Sequence, residues 1–112
     1  MLEISVTKLR RCDLIRVKGR IDSETTGELK KALEGITDTG RYNIVFNMSD
    51  VAFISSAGLN QLIDTMKTCT RLRRGKLVLS DIPENIASTL ALAGLNEVFS
   101  CYSTEAEAVG NF

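Results

Sequence analysis

Two adjacent hydroxyls, Ser55 and Ser56, lie within "SDVAFISSAGLNQLIDTM" (49–66), after an apolar stretch and before Leu59, Leu62, Ile63 and Met66, which recur at helical spacing. Serines at the mouth of a helix can do three kinds of work. One can accept from the free N–H groups of the first turn as a cap, attack as a nucleophile if a base stands beside it, or carry a modification such as phosphate. The nucleophile is the weakest reading. The chain has no histidine, which removes the commonest general base and every Ser-His-Asp or Cys-His arrangement. No Gly-rich phosphate loop or conspicuous carboxylate pair takes its place, so no catalytic residue is assigned. Cys12, Cys69 and Cys101 are odd in number and widely spaced. They form neither a zinc motif nor a disulfide framework, and read as small packing residues of a reducing compartment. The sequence predicts no metal, no cofactor and no enzyme.

A chain of 112 residues is expected to form a single domain over 1–112 with one core. Its cations and carboxylates number 14 each, so it lacks the global basic footprint of a nucleic-acid binder, and no nucleic-acid partner is expected. The basic run Arg71, Arg73, Arg74 and Lys76 reads as a solvated helix end, where cations suit the negative end of the helix dipole. No apolar run approaches the roughly 20 residues of a membrane span, so no membrane insertion is expected. The opening "MLEISVTKL" alternates as a strand does, unlike a signal peptide. Cytoplasmic location follows as an expectation.

The elements that must position the serines follow from periodicity. Leu2, Ile4 and Val6 share one face of a strand, and Leu14, Ile15 and Val17 begin a second that closes at Gly19; the short link makes them an antiparallel hairpin. "DSETTGELKKALEGI" switches to helical period through Leu29, Ala32, Leu33 and Ile36, with Asp22 or Ser23 as the cap and Thr25 and Thr26 in the first turn. "YNIVFNM" is nearly continuously apolar, as a strand covered on both faces is, and a short loop leads from it to the serines. The helix after Ser55 and Ser56 is expected to run to about Arg73 and stop at Gly75. "KLVLSD", a helix after Pro83 ending at Gly94, a last strand "EVFSCY" and a short helix capped by Ser103 or Thr104 complete the order. Alternation of this kind implies an α/β fold with a mixed, mostly parallel sheet, an N-terminal antiparallel strand pair and about four flanking helices. In such sheets function gathers where strands end and helices begin, the place the serine pair holds.

In order and spacing, "VKGRIDSETTGELKKAL", "YNIVFNMSDVAFISSAGLNQL" and "LALAGLNEVFSCYSTEAEAV" resemble the STAS domain of bacterial anti-sigma factor antagonists, over nearly the whole chain. Members of that family typically read Asp-Ser-Ser/Thr-Gly-Leu at this loop. Gly58 and Leu59 match, while Ser55 stands where Asp is usual, Ala57 where Ser or Thr is, and Asn60 where Gly is frequent. The resemblance implies a STAS fold and a partner-switching role. The antagonist binds an anti-sigma factor, itself a serine kinase, and so frees a sigma factor for transcription. Phosphorylation breaks that complex and a phosphatase restores it. Carried over by position, the phosphorylated residue is Ser56, with Ser55 as the alternative. The implied partner surface comprises Asp22, Asp50, Phe53, Ile54, Ser55, Ser56, Ala57, Gly58, Leu59 and Asn60, with Phe53, Ile54 and Leu59 offering apolar area if exposed. Asn47 and Asp50 read by themselves as hydrogen bonders that fix the loop. A monomer or weak dimer is expected. The alternative within the same fold is a small STAS subunit of a membrane transport complex, such as a lipid-transport ATPase.

Overall fold

A computed structural model describes residues 2–73 and 75–112; Arg74 of the basic run lies outside the described residues. The chain runs β1 (Glu3–Lys8), β2 (Asp13–Ile21), α1 (Thr26–Thr37), β3 (Asn43–Ile54), α2 (Ser56–Arg73), β4 (Lys76–Ser80), α3 (Glu84–Leu92), a 3-10 turn (Leu95–Glu97), β5 (Cys101–Tyr102) and α4 (Glu105–Gly110). The strands form one sheet in the order β1-β2-β3-β4-β5. The hairpin β1–β2 is antiparallel, from Glu3 opposite Lys18 to Lys8 opposite Asp13, and all later pairs are parallel.

That strand order fixes the layers. Successive right-handed crossovers that step in one direction place their helices on the same face. Leu29, Leu33 and Ile36 of α1, Leu62 and Cys69 of α2, and Ile86 and Leu90 of α3 all join Ile15, Val17, Phe46, Leu77 and Leu79 in one core. The strand residues that alternate with these, Leu14, Val45 and Val78, face the other way into a smaller cluster, closed by Ala108 of α4. A six-residue helix covers only part of that second face. The Thr104 cap expected before α4 is present: the Thr104 hydroxyl accepts from the Glu107 N–H at 3.2 Å and donates to Glu107 Oε1 at 3.2 Å.

Several boundaries differ from the sequence reading. β3 continues through Ile54 instead of ending near Met48, because Asp50, Val51, Phe53 and Ile54 still pair with β2. The first helix begins at Thr26, after a turn built on Asp22. The last strand shrinks to Cys101 and Tyr102, since Glu97 closes a 3-10 turn and Phe99 is drawn into the core. Val6 is 46% exposed on the outer strand, although its cross-strand neighbour Ile15 is fully buried.

Candidate functional site

The candidate site is built at the edge where the parallel strands finish. β3 reaches it through two irregularities. Arg16 pairs with Asn47 and Lys18 with Asp50; then Gly19 pairs with Val51 and Arg20 with Phe53. Each step places one extra β3 residue against β2, as β-bulges do, and re-aims the side chains beyond it. Burial follows: Met48, Val51 and Ile54 are buried, whereas Ser49, Asp50, Ala52 and Phe53 are exposed. Asn47, itself buried, fastens the first bulge by accepting from the Ser49 N–H at 2.8 Å. At the second, Gly19 takes φ 122°, a backbone state that a residue with a Cβ adopts at a cost. The outcome is an exposed aromatic ring, Phe53, with the Arg20 guanidinium 4.4 Å from its centroid. Cation–π contacts of this kind contribute about 0.5–1 kcal/mol at exposed sites.

The two serines then divide their tasks. The Ser55 N–H donates to the Ile21 carbonyl at 2.8 Å, holding the loop to the end of β2. Its hydroxyl accepts from the Gly58 N–H at 3.2 Å and its carbonyl from the Leu59 N–H at 2.9 Å, so Ser55 is the cap of α2. Ser56 is the first residue of α2, with its side chain exposed. Its hydroxyl sits by the unpaired N–H groups and partial positive charge of a helix start, a setting that favours negative charge.

Neighbouring connections close around this loop. Asp22 Oδ1 accepts from the N–H groups of Glu24 and Thr25, at 3.0 and 3.2 Å. Thr25 is buried and joins both sides of the turn: its hydroxyl donates to the Arg20 carbonyl at 2.8 Å and accepts from the Asp22 N–H at 2.9 Å. Sequence reasoning gave Thr25 no role beyond the first turn, because its bonds depend on where β2 ends. From α3, the Asn85 amide donates to the Ala52 carbonyl at 3.2 Å.

Of the expected partner-facing residues, Asp50, Phe53, Ser56 and Asn60 are exposed, and Asp22, Ser55 and Ala57 are half-buried. Ile54, Gly58 and Leu59 are corrected to interior positions: all three are buried, Ile54 and Leu59 as members of the main core. The cause is the close seating of α2 on the sheet. A Cβ on Gly58 would lie 2.6 Å from Ile21 Cγ2 and 2.9 Å from Ile54 Cγ1, so glycine here permits an approach that leaves no apolar area for a partner. Arg20, which the sequence reading did not single out, belongs to the exposed surface instead. Its signal was present in the alternation Arg16, Lys18, Arg20 along β2.

On the second face the same edge is tied down electrostatically. The Arg16 Nε donates to Glu105 Oε2 at 3.0 Å and its Nη2 to Oε1, while the Asn47 amide donates to Oε2 at 2.6 Å. The hydrogen bond from Arg16 holds the Glu105 carboxyl below its ordinary range. Among the described residues no three His, Cys, Asp or Glu side chains gather as a metal-ligand group, and no helix is long and apolar enough to cross a membrane.

The STAS domain family matches residues 3–108 of the chain. The anti-sigma-B factor antagonist of Listeria monocytogenes is 27% identical over 97 residues, covering 87% of this chain and 84% of that protein. The crystal structure of an anti-sigma factor antagonist from Mycobacterium paratuberculosis superposes with a TM-score of 0.88 at 22% identity, over 99% of this chain and 93% of that one. The Bacillus cell fate determinant SpoIIAA, in its phosphorylated form, gives a TM-score of 0.74 at 18% identity, over 97% and 98%.

Proposed function

The chain belongs to the STAS domain family, and from that premise we propose that it is an anti-sigma factor antagonist whose binding is switched by phosphorylation of Ser56. Its partner in this reading is an anti-sigma factor with serine kinase activity, and a phosphatase resets the switch. The domain itself binds without catalysing. Sequence kinship to proteins named anti-sigma-B factor antagonists supports the role, and a solved relative of the same fold in a phosphorylated form supports the means.

The observation that carries the reading is the division of labour at the helix start. Ser55 is consumed as the cap, whereas Ser56 is exposed one residue later. A phosphate on Ser56 would carry a charge of about −1.5 to −2 and be tolerated by the helix N-terminus. The same charge placed against a partner surface that buries this loop would be costly. The switch therefore leaves the domain folded while ending the complex. Asp50, Phe53, Asn60 and the half-buried Asp22, Ser55 and Ala57 form the contact surface around it, and Arg20 joins them through its stack on Phe53. Ser55, standing where the family usually has Asp, still supplies the cap through its hydroxyl.

The test is binding of the purified anti-sigma factor from the source organism. Wild type and Ser56→Ala are expected to bind, and Ser56→Asp to bind at least about tenfold more weakly, a difference of ~1.4 kcal/mol. Kinase-treated wild type should gain one phosphate that Ser56→Ala does not. Equal binding of all three forms, with phosphate absent or on another residue, would remove the proposal.

A further inference from the structure

The zero net charge of the chain conceals a separation of charge between the two ends of the sheet. At the edge where β2, β3 and β4 begin, the exposed side chains include Lys8, Arg10, Arg11, Arg71 and Lys76. Arg41 stands among them, half-buried, and is held to Asp13. The other acidic side chains in the connections at this end are Asp38, which ends α1, and Glu97, in the turn before β5. Among the described residues none of the five exposed cations forms an ion pair with an Asp or Glu side chain. The opposite edge, where the strands finish, carries Asp22, Glu24, Asp50, Asp81 and Glu84 in or beside its connections.

The basic edge is a fixed surface. The Arg41 guanidinium donates to the carbonyls of Leu9 and Cys12, so the connection before β3 is bonded to the turn before β2. The Asn43 amide donates to the Arg11 carbonyl at 3.2 Å. Arg11 in turn donates to the Phe112 carbonyl at 3.4 Å, and the Lys76 ammonium lies 5.5 Å from the centre of the Phe112 ring. Cations from three segments distant in sequence thus lie along one end of the domain. Arg71 and Lys76, from the basic run read in the sequence as a solvated helix end, are part of this larger surface.

We propose that this edge is a docking face for an anionic membrane surface. Clusters of four to eight basic side chains are what acidic lipid headgroups attract, each adding about fivefold to partition. Phe53, the one exposed aromatic of large area among the described residues, lies at the opposite edge, and the rings at the basic face, Tyr42 and Phe112, are half-buried, Phe112 with Lys76 over it, so neither is a fully open platform for single-stranded bases. The connections 9–12 and 38–42 are short and bonded to each other, and a row of short loops suits a plane better than a duplex groove. No helix crosses the bilayer in this arrangement; the domain adsorbs through charge. Docked this way, the domain keeps Ser56 and Phe53 at the far end, open to solution.

The experiment is co-sedimentation of the full chain with vesicles of phosphatidylcholine containing about a third phosphatidylserine, against pure phosphatidylcholine, at low and at severalfold higher salt. Binding to the acidic vesicles alone, released by salt, is expected. Arg10→Glu/Arg11→Glu should lower partition by at least about 25-fold. Lys30→Glu/Lys31→Glu, which makes the same change in net charge on exposed positions of α1, should change it much less. Melting curves of both variants verify that they fold. Equal losses from the two double variants, no preference for acidic vesicles, or tighter binding to a short DNA duplex than to vesicles would each overturn the proposal.

Discussion

Alanine at position 58 is expected to destabilise the domain even though it replaces glycine inside a helix. In an unobstructed helix the change gains about 1 kcal/mol. At Gly58 the added methyl would stand 2.6 Å from Ile21 Cγ2 and 2.9 Å from Ile54 Cγ1, about 1 Å inside ordinary carbon contact. Both obstacles are branch atoms of core isoleucines with 0% and 3% exposure, so neither turns aside freely. Relief requires α2 to lift from the sheet or two isoleucines to leave their rotamers, which costs about 1–3 kcal/mol in tightly packed interiors. The net expectation is a loss of about 1 kcal/mol, or a fall in Tm of roughly 4–8 °C in a domain near this size. Gly35→Ala is the internal contrast. It lies within α1 with nothing within 4 Å of the added Cβ, and should raise stability by about 0.5–1 kcal/mol. Calorimetry and urea titration of both variants measure the pair. An unchanged or raised Tm for Gly58→Ala would refute the claim that glycine is there for the close approach. A matching displacement of the Ser55 and Ser56 amide resonances would tie that packing to the candidate site.

Other outcomes follow from single contacts. The Arg16 hydrogen bond lowers the Glu105 carboxyl, so its stabilisation is present above the unfolded pKa and is lost as pH falls through the lower, folded value. Arg16→Gln should therefore lower the urea midpoint slightly at pH 7 and hardly at all near pH 3, as a largely exposed pair does; a pH-independent cost would exclude this pair as the source. Asp81 holds φ 52°, and Asp81→Gly should stabilise by up to about 1 kcal/mol, read as a rise in urea midpoint; a fall would mean that side-chain contacts outweigh the backbone strain. Cys12 and Cys69 are buried while Cys101 is exposed, and burial pushes the Cys69 thiol up to about 11. A thiol reagent at pH 8 should modify one cysteine promptly in the native protein and all three in denaturant; prompt reaction of two or more without denaturant would contradict that burial.

The legible parts of the molecule are those governed by nearest neighbours along the chain. Helical spacing in Leu29, Leu33 and Ile36, the Ser55 cap and the Thr104 cap depend on residues three or four apart, and each stands where the pattern places it. The order of strands and helices, and with it the parallel sheet, follows from the same periodicities. The register of β3 against β2 depends on contacts across the sheet. It contains two irregularities, and these decide that Phe53 is outside and Ile54 inside. The period-two pattern of a strand carries no mark of where an extra residue will be inserted. Leu59 is apolar in the sequence whether it meets a partner or the core, and only the seating of α2 against Ile21 settles that it is interior. The Arg16–Glu105 pair spans 89 positions and the Arg41–Asp13 pair 28. A balanced count of 14 cations and 14 carboxylates likewise holds no record of which end of the sheet each will occupy. The sequence by itself determined the elements, their order and the hydroxyls at a helix start. Tertiary structure alone decided which side chains around those hydroxyls face outward and how charge is divided between the two edges, because both depend on segments brought together only by folding.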